Sequence, residues 1–416
     1  MPKKRRKEMP TQSHWQHTAP DLALTLSNPS PHTADVVVVG GGILGTSTAY
    51  WLARNGVRVV LLEQTSLAAG ATGRNGGFLT VGAATLYGHA IRTWGHDAAQ
   101  AIWQLTYTNR DLMRSLIEQE DIACDYREPG TARIALNESE MQHLREDVAL
   151  LNADGFAHEM LDRAQLQEHI HTSLSDEIVG GSLLPGGGLL HSAKLVAGIA
   201  HAAQRHGATL CRARVTHIEA RGGSSLIQTD SGPIETNGLV LAANAWTSEL
   251  VPGMRDFIVP IRGQMMSFAP IKPVFAVGLG AAVTDTEEYW QQTPDGAIVL
   301  GGCRSAHPTR DENTLQDAVT NDVQCALETV LPRLFPSLAG KLHVARRWSG
   351  PMAFTLDRLP VFDRVPDLPN AWFAGGFCGH GMPFGVVFGK LLAEAVEGKK
   401  PMGFEMLAFS ASRFHD

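Results

Sequence analysis

Four consecutive valines, Val36 to Val39, run directly into Gly40, Gly41, Gly42, Ile43, Leu44 and Gly45, and an acid, Glu63, stands about twenty positions further on. A valine run without polar interruption reads as a strand buried on both faces. The apolar stretch 43–55, stopped by Gly56, reads as the helix that follows it, and a second apolar run, 57–62, ends in Glu63. Strand, glycine turn, helix and strand in that order make a dinucleotide-binding unit. Gly40 allows the tight turn, Gly42 lets the backbone approach a pyrophosphate, and Gly45 lets the helix pack on the strand. The phosphates then sit at a helix N-terminus, where N–H groups and the helix dipole favour an anion. Glu63 is placed to accept hydrogen bonds from ribose hydroxyls and to repel a 2′-phosphate.

With 416 residues, 44% of them hydrophobic and 19% charged, the chain has material for two domains, and its net charge of −7 argues against a general nucleic-acid binder. Five cysteines (Cys124, Cys211, Cys303, Cys325, Cys378) lack CxxC spacing. They imply neither a disulfide framework nor a metal site, and suit a reducing, cytoplasmic compartment. No apolar run reaches the length of a membrane span. Residues 1–33 are of different material: Lys3, Lys4, Arg5, Arg6 and Lys7 head a stretch rich in Pro, Ser, Thr and His. It reads as a disordered tail whose basic tip is a solvated end or an address for a polyanion.

Apolar periodicity predicts helices over 90–120, 141–154 and 195–206, and strands within 126–136, 209–218, 226–229 and 239–243. Strand formers dominate 257–302, where Pro294-Asp295-Gly296 joins 289–292 to 298–301 as a hairpin. Near the C-terminus, Trp372-Phe373-Ala374-Gly375 reads as a short strand entering Gly376-Phe377-Cys378-Gly379-His380-Gly381-Met382, followed by a helix over 386–397. Two glycine-rich helix starts, far apart in the chain, suit a long cofactor held at two places. There is no Ser/His/Asp set of recognisable spacing, no HExxH and no Walker lysine, so hydrolysis and phosphoryl transfer have no visible machinery.

Three further segments complete a pattern: Ala71-Thr72-Gly73-Arg74-Asn75-Gly76-Gly77, Leu241-Ala242-Ala243-Asn244-Ala245-Trp246 and Pro260-Ile261-Arg262-Gly263-Gln264. With the two glycine clusters, residues 34–397 resemble the FAD-dependent amine and amino-acid oxidoreductases of the D-amino-acid oxidase type, a group including glycine, sarcosine and γ-glutamylputrescine oxidases. The GRNGG and GxxGHG segments look closest to the last of these. The resemblance implies an α/β fold, α+β overall: a Rossmann-like FAD-binding domain from 34–88, 155–252 and 345–410, and a discontinuous antiparallel-sheet substrate domain from 89–154 and 253–344.

It also implies non-covalent FAD. The ADP part would lie on Gly40, Gly42, Ile43, Leu44, Gly45, Glu63, Gln64, Val215, Ala243, Asn244 and Trp246, where Asn244 replaces a usual glycine. The flavin part would lie on Thr72, Gly73, Arg74, Asn75, Gly76, Gly77, Gly350, Gly376, Gly379, His380, Gly381 and Met382, the last cluster lending a helix dipole to the reduced ring. The implied reaction is oxidation of an amine or amino acid by hydride transfer to flavin N5, giving an imine that water hydrolyses, with reoxidation by dioxygen or another acceptor. Candidate catalytic residues are His380, Arg74, Arg262 and Tyr289, and Trp290, Met265 and Phe354 are candidates for the substrate wall. One departure is plain. Trp348-Ser349-Gly350 is followed by Pro351 and Met352, not by the arginine that clamps a substrate carboxylate in glycine and D-amino-acid oxidases. The same fold also suits a 2-hydroxy-acid dehydrogenase, and the basic tail would suit a non-catalytic flavin-binding or nucleic-acid-associated protein.

Overall fold

In the computed structural model, which describes residues 11–20, 22, 26–27, 31–281, 288–399 and 408–414, the valine run lies in the strand Thr33–Val39, inside an eight-stranded sheet. Its neighbours are Val59–Glu63 and Ile234–Leu241, both parallel to it. Thr209–Arg212 extends the sheet on one side, and Ala371–Gly375 with the antiparallel Val361–Arg364 on the other. Val36 and Val38 join the core beneath the helices Ile43–Arg54, Ser192–Arg205 and Gly385–Val396, while Val37 and Val39 pack into a second core on the opposite face. Burial on both faces is why the strand has no polar alternation.

The second sheet also has eight strands, in the order Val344–Phe354, Val259–Phe268, Ile298–Gly301, Tyr289–Gln292, Gly278–Ala281, Thr131–Ala135, Gly180–Leu184, Glu159–Asp162. The expected hairpin is present, Tyr289 pairing with Gly301 and Gln292 with Ile298. One face of this sheet packs under the helix Asn321–Leu334 through Met266, Trp290, Leu300, Leu327 and Leu331. The other face turns toward the cofactor-binding sheet.

Several boundaries differ from the expectations. Strands Glu159–Asp162, Gly180–Leu184 and Val344–Phe354 stand in the second sheet, not with the dinucleotide unit. The expected 90–120 helix is two, Tyr87–Trp94 and His96–Gln119, because Gly95 adopts φ +86° between them. The longer one buries Ile102, Trp103, Met113 and Leu116 in the core beneath the first sheet, so it belongs structurally with that sheet. The N-terminal segment is not a disordered tail from residue 11 onward. Ser13 and Gln16 form a capping box on the short helix His14–Thr18, and Trp15 is 1% exposed. The basic cluster 3–7 lies outside the described residues.

Candidate functional site

One cavity of about 2060 Å3 runs from the dinucleotide turn across to the inner face of the second sheet. It is built first from the turn itself. Gly40, at φ +116°, passes so close to Ala242 that a Cβ would stand 2.6 Å from its carbonyl oxygen, and a Cβ on Gly45 would stand 1.9 Å from the Gly40 oxygen. Helix Ile43–Arg54 therefore starts hard against the strand, and no side chain caps it from Gly42. Thr72 Oγ1 accepts from the Ile43 N–H at 3.2 Å. Glu63 Oε2 accepts from the Gly41 N–H at 2.8 Å, and its Oε1 accepts from the N–H and hydroxyl of Thr65 at 2.9 and 3.1 Å. The carboxylate is thus held at the outer end of the cavity beside Gln64, Val215, Ala243 and Trp246.

The middle is the loop around the short 3-10 turn Ala71–Arg74. Thr72, Arg74, Asn75 and Gly76 line the cavity. Asn75 Oδ1 accepts from the Gly77 N–H at 2.9 Å, and Gln291 Nε2 donates to the Gly77 carbonyl at 2.9 Å, tying the loop to the second sheet. A Cβ on Gly76 would meet the Tyr289 ring at 2.8 Å, and one on Gly301 would meet it at 2.6 Å, so Tyr289 is wedged between loop and sheet. At the inner end stand Gly350, Met352, Phe377, Gly379, His380, Gly381 and Met382, facing Met265 and Phe354. Asn244, at φ +45°, takes the left-handed conformation usual for glycine, and its Oδ1 accepts from the Gly376 N–H at 3.1 Å.

The residues present fit a dinucleotide extended from the Glu63 end to the Gly379 end: close glycine cradles, uncapped helix donors and a ribose-side carboxylate lie along one continuous space.

Not every expected contact faces that space. Gly45, Gly73, Gly77 and Gly376 shape the backbone behind it: a Cβ at Gly73 would stand 2.0 Å from the Ala68 oxygen, and one at Gly376 2.5 Å from Thr355. Trp290 is fully buried in the core under Asn321–Leu334 and is not a wall residue. Arg262 is likewise not catalytic machinery. It is 7% exposed, its Nη2 lies 2.5 Å from Asp311 Oδ1, and Asp311 Oδ2 accepts from Gln264 Nε2 at 2.6 Å.

Arg74 lines the cavity but four of its five N–H donors are spent elsewhere. Nε donates to the Ala69 carbonyl at 2.8 Å, Nη1 to the Ser349 carbonyl at 2.6 Å and Thr11 Oγ1 at 3.0 Å, Nη2 to the Thr11 carbonyl at 2.9 Å, and Asp317 Oδ2 lies 2.9 Å from Nη1. Burial lowers its pKa and Asp317 opposes that shift. It is a brace rather than a phosphate or substrate ligand.

The helix that follows the Gly379–Gly381 cluster has its first N–H groups occupied by a side chain. Helix Gly385–Val396 begins four residues later, and Asn109 Oδ1 accepts from the Val386 and Val387 N–H groups at 3.0 Å each. Asn109 Nδ2 donates to the Met382 carbonyl at 3.0 Å, so one buried side chain both caps the helix and pins the loop. Sequence reasoning missed it, although a signal existed: Asn109 stands at helical spacing among the apolar Ile102, Met113 and Leu116 of its helix.

The N-terminal segment was missed as well. Trp15 Nε1 donates to the Asn75 carbonyl at 2.6 Å, Gln16 Nε2 to the Ala68 and Ala69 carbonyls at 3.0 and 3.2 Å, and Ser13 Oγ to the Gly73 carbonyl. It is a strap across the back of the 68–77 loop.

A family model described as "DAO: FAD dependent oxidoreductase" matches residues 35–395. The γ-glutamylputrescine oxidoreductase of Escherichia coli is 28% identical over 374 residues, covering 88% of this chain and 84% of that protein. A probable oxidoreductase OrdL of Rhizobium meliloti is 27% identical over 403 residues, covering 94% and 89%. Among solved structures, glycine oxidase from Geobacillus kaustophilus superposes with a TM-score of 0.79 at 22% identity, covering 92% of this chain and 99% of that one, a likeness of fold.

Proposed function

The chain belongs to the DAO family of FAD-dependent oxidoreductases, and on that premise we propose that it oxidises the C–N bond of an amine or amino acid. The observation that carries this reading is the single cavity joining the Glu63 and Gly40–Leu44 end to an inner chamber walled by Met265, Tyr289, Met352 and Phe354. The similarity to γ-glutamylputrescine oxidoreductase and to a glycine oxidase supports an amine or amino-acid donor.

FAD, when bound, supplies the two-electron acceptor for a hydride leaving the carbon next to nitrogen. The chain does the rest. Gly40, Gly42, Thr72 and Glu63 hold the ADP portion, and Asn75, Gly76, Gly350 and Gly379 supply backbone at the reactive end. Met265, Met352, Phe354 and Phe377 exclude water and favour the uncharged amine, the form able to lose hydride. Tyr289, fixed between Gly76 and Gly301, sets the distance between loop and sheet and so positions whatever lies between them.

FAD is expected to be held without a covalent bond, as the cavity-lining cysteine offers no reactive thiolate. Four of the five free cysteines are buried, and Cys378, the one lining the cavity, donates to the Gly376 carbonyl at 3.2 Å while burial raises its pKa, which keeps it a thiol. These thiols suit a reducing, cytoplasmic setting. Among the described residues no helix is long and apolar enough to cross a membrane.

The purified protein should be yellow, and acid precipitation should release all its FAD into the supernatant. Aerobic turnover with an amine should then yield an aldehyde or keto product, and peroxide if dioxygen is the acceptor. A colourless protein that takes up no FAD, or one oxidising hydroxy acids and no amine, would refute the proposal.

A further inference from the structure

We propose that Arg133 is the anion anchor of the substrate site, binding a carboxylate that the amine substrate carries several methylene lengths away from the oxidised C–N bond. This rests on reading the cavity as an amine-oxidising site.

Arg133 stands on the strand Thr131–Ala135 and lines the far lobe of the same cavity. Its position follows from the register of the second sheet. Met265 pairs with Gly301, Gly301 with Tyr289, Tyr289 with Gly280, Gly280 with Arg133, and Arg133 with Ser182. Residues paired in this way share a face, so the row leads from the inner chamber to the arginine. Arg133 lies two strands beyond Tyr289, about 10 Å, and five beyond the strand of Gly350, roughly 24 Å along the sheet. Gly280, between Tyr289 and Arg133, lines the cavity and carries no side chain, so no side chain of its own stands between them.

The guanidinium makes no hydrogen bond and no ion pair within 4.0 Å among the described residues, although it is only partly exposed and burial lowers its pKa. An unpaired, largely desolvated cation is costly to a fold that does not use it. Asp147 acts on it through space but is already committed: its Oδ1 accepts from the Gly88 N–H at 2.8 Å, at the start of helix Tyr87–Trp94. His158, the other titratable neighbour, is held toward its neutral form by burial, and its Nδ1 lies 3.0 Å from the Phe156 carbonyl. The lobe therefore presents a fork of unbonded N–H donors whose charge Asp147 offsets only from beyond ion-pair distance, the chemistry that recognises a carboxylate. The distance sets the class. An α-carboxylate beside the reacting carbon would not reach it, whereas an ω-amino acid or an amide-extended analogue would. The missing arginine after Gly350 is consistent with the anion being bound here instead.

The test uses the FAD-loaded enzyme with 6-aminohexanoate and its uncharged partner 6-aminohexanamide, and calorimetric titration with adipate as a non-oxidisable probe. The wild type should bind adipate and prefer the acid. Arg133→Gln should raise KM for the acid about 10- to 100-fold with kcat and the amide's KM unchanged, and weaken adipate binding by the same factor. Arg133→Lys should recover part of both. The visible flavin spectrum should be unaltered and the unfolding temperature unchanged or higher, since no native hydrogen bond or ion pair of the guanidinium is removed. Acid and amide suffering equally, or a wild type that neither binds adipate nor prefers the acid, would overturn the anchor. If adipate binding depends on Arg133 while no amine is oxidised, the proposed function fails and the anchor stands. If amines are oxidised and adipate binding ignores Arg133, the anchor fails and the function stands.

Discussion

Asn109 shows how much of this site depends on single polar groups placed inside apolar surroundings. Its amide accepts from two helix-start N–H groups and donates to the Met382 carbonyl, all on buried residues. Asn109→Ala is expected to cost about 2–3 kcal/mol through the unsatisfied N–H groups, read as a lower urea midpoint with an unchanged slope, together with weaker FAD retention. A variant with the wild-type midpoint would contradict the capping role. Residues of this kind explain what the sequence hid. The glycines were legible because close approach admits no other residue, whereas Arg74 and Arg262 carry the same charge as a ligand would. Only their partners, Asp317 with Thr11 and Asp311 with Gln264, show them to be braces. Arg133 looked ordinary in sequence because what distinguishes it, a missing partner, is a property of three dimensions.

Among elements, the strap at residues 11–19 is the feature that composition concealed. Its Thr-, Gln- and His-rich make-up is that of a tail, yet Trp15 is buried against His191 and the 68–77 loop hangs on its hydrogen bonds. Trp15→Ala should cost about 3–5 kcal/mol if the strap is part of the cooperative unit, and should release FAD on gel filtration. Retention of both stability and FAD would mean that the strap is dispensable.

The strap also carries a pH dependence. His191 Nδ1 accepts from the Lys194 N–H at 3.2 Å, capping helix Ser192–Arg205, and its Nε2 lies 2.9 Å from Thr18 Oγ1, which itself donates to the His14 carbonyl at 2.7 Å. That arrangement needs a neutral ring with the proton on Nε2. Burial, with Lys194 as the next cause, lowers the His191 pKa from 6.5 to about 4. The unfolded chain therefore binds the proton more readily, so this contribution is complete above about pH 6.5 and is lost as pH falls toward 4, on the order of 3 kcal/mol in all. His14, lowered mainly by burial, adds in the same direction. Thermal unfolding between pH 7 and 4 should show the loss, and His191→Gln should flatten it; parallel curves for the two proteins would contradict the assignment.

At the scale of the whole molecule, the two-sheet plan follows from patterns visible in the chain: a valine strand buried on both faces, the Pro294-Asp295-Gly296 hairpin, and glycine clusters at either end. What the patterns did not carry was membership. Short strands such as Gly180–Leu184 look alike whichever sheet takes them, and long-range pairing, here with Thr131–Ala135, decides. The same pairing draws the row that connects Met265 to Arg133, so the lobe lined by Arg133 is a consequence of sheet order rather than of any local motif. The proposed function requires that cavity to be a flavin site where an amine loses hydride. Mixing the yellow enzyme anaerobically with a panel of amines, amino acids and hydroxy acids tests this most directly. The absorbance near 450 nm should bleach with some amines and not with hydroxy acids; bleaching by hydroxy acids alone, or by no member of the panel, would contradict it.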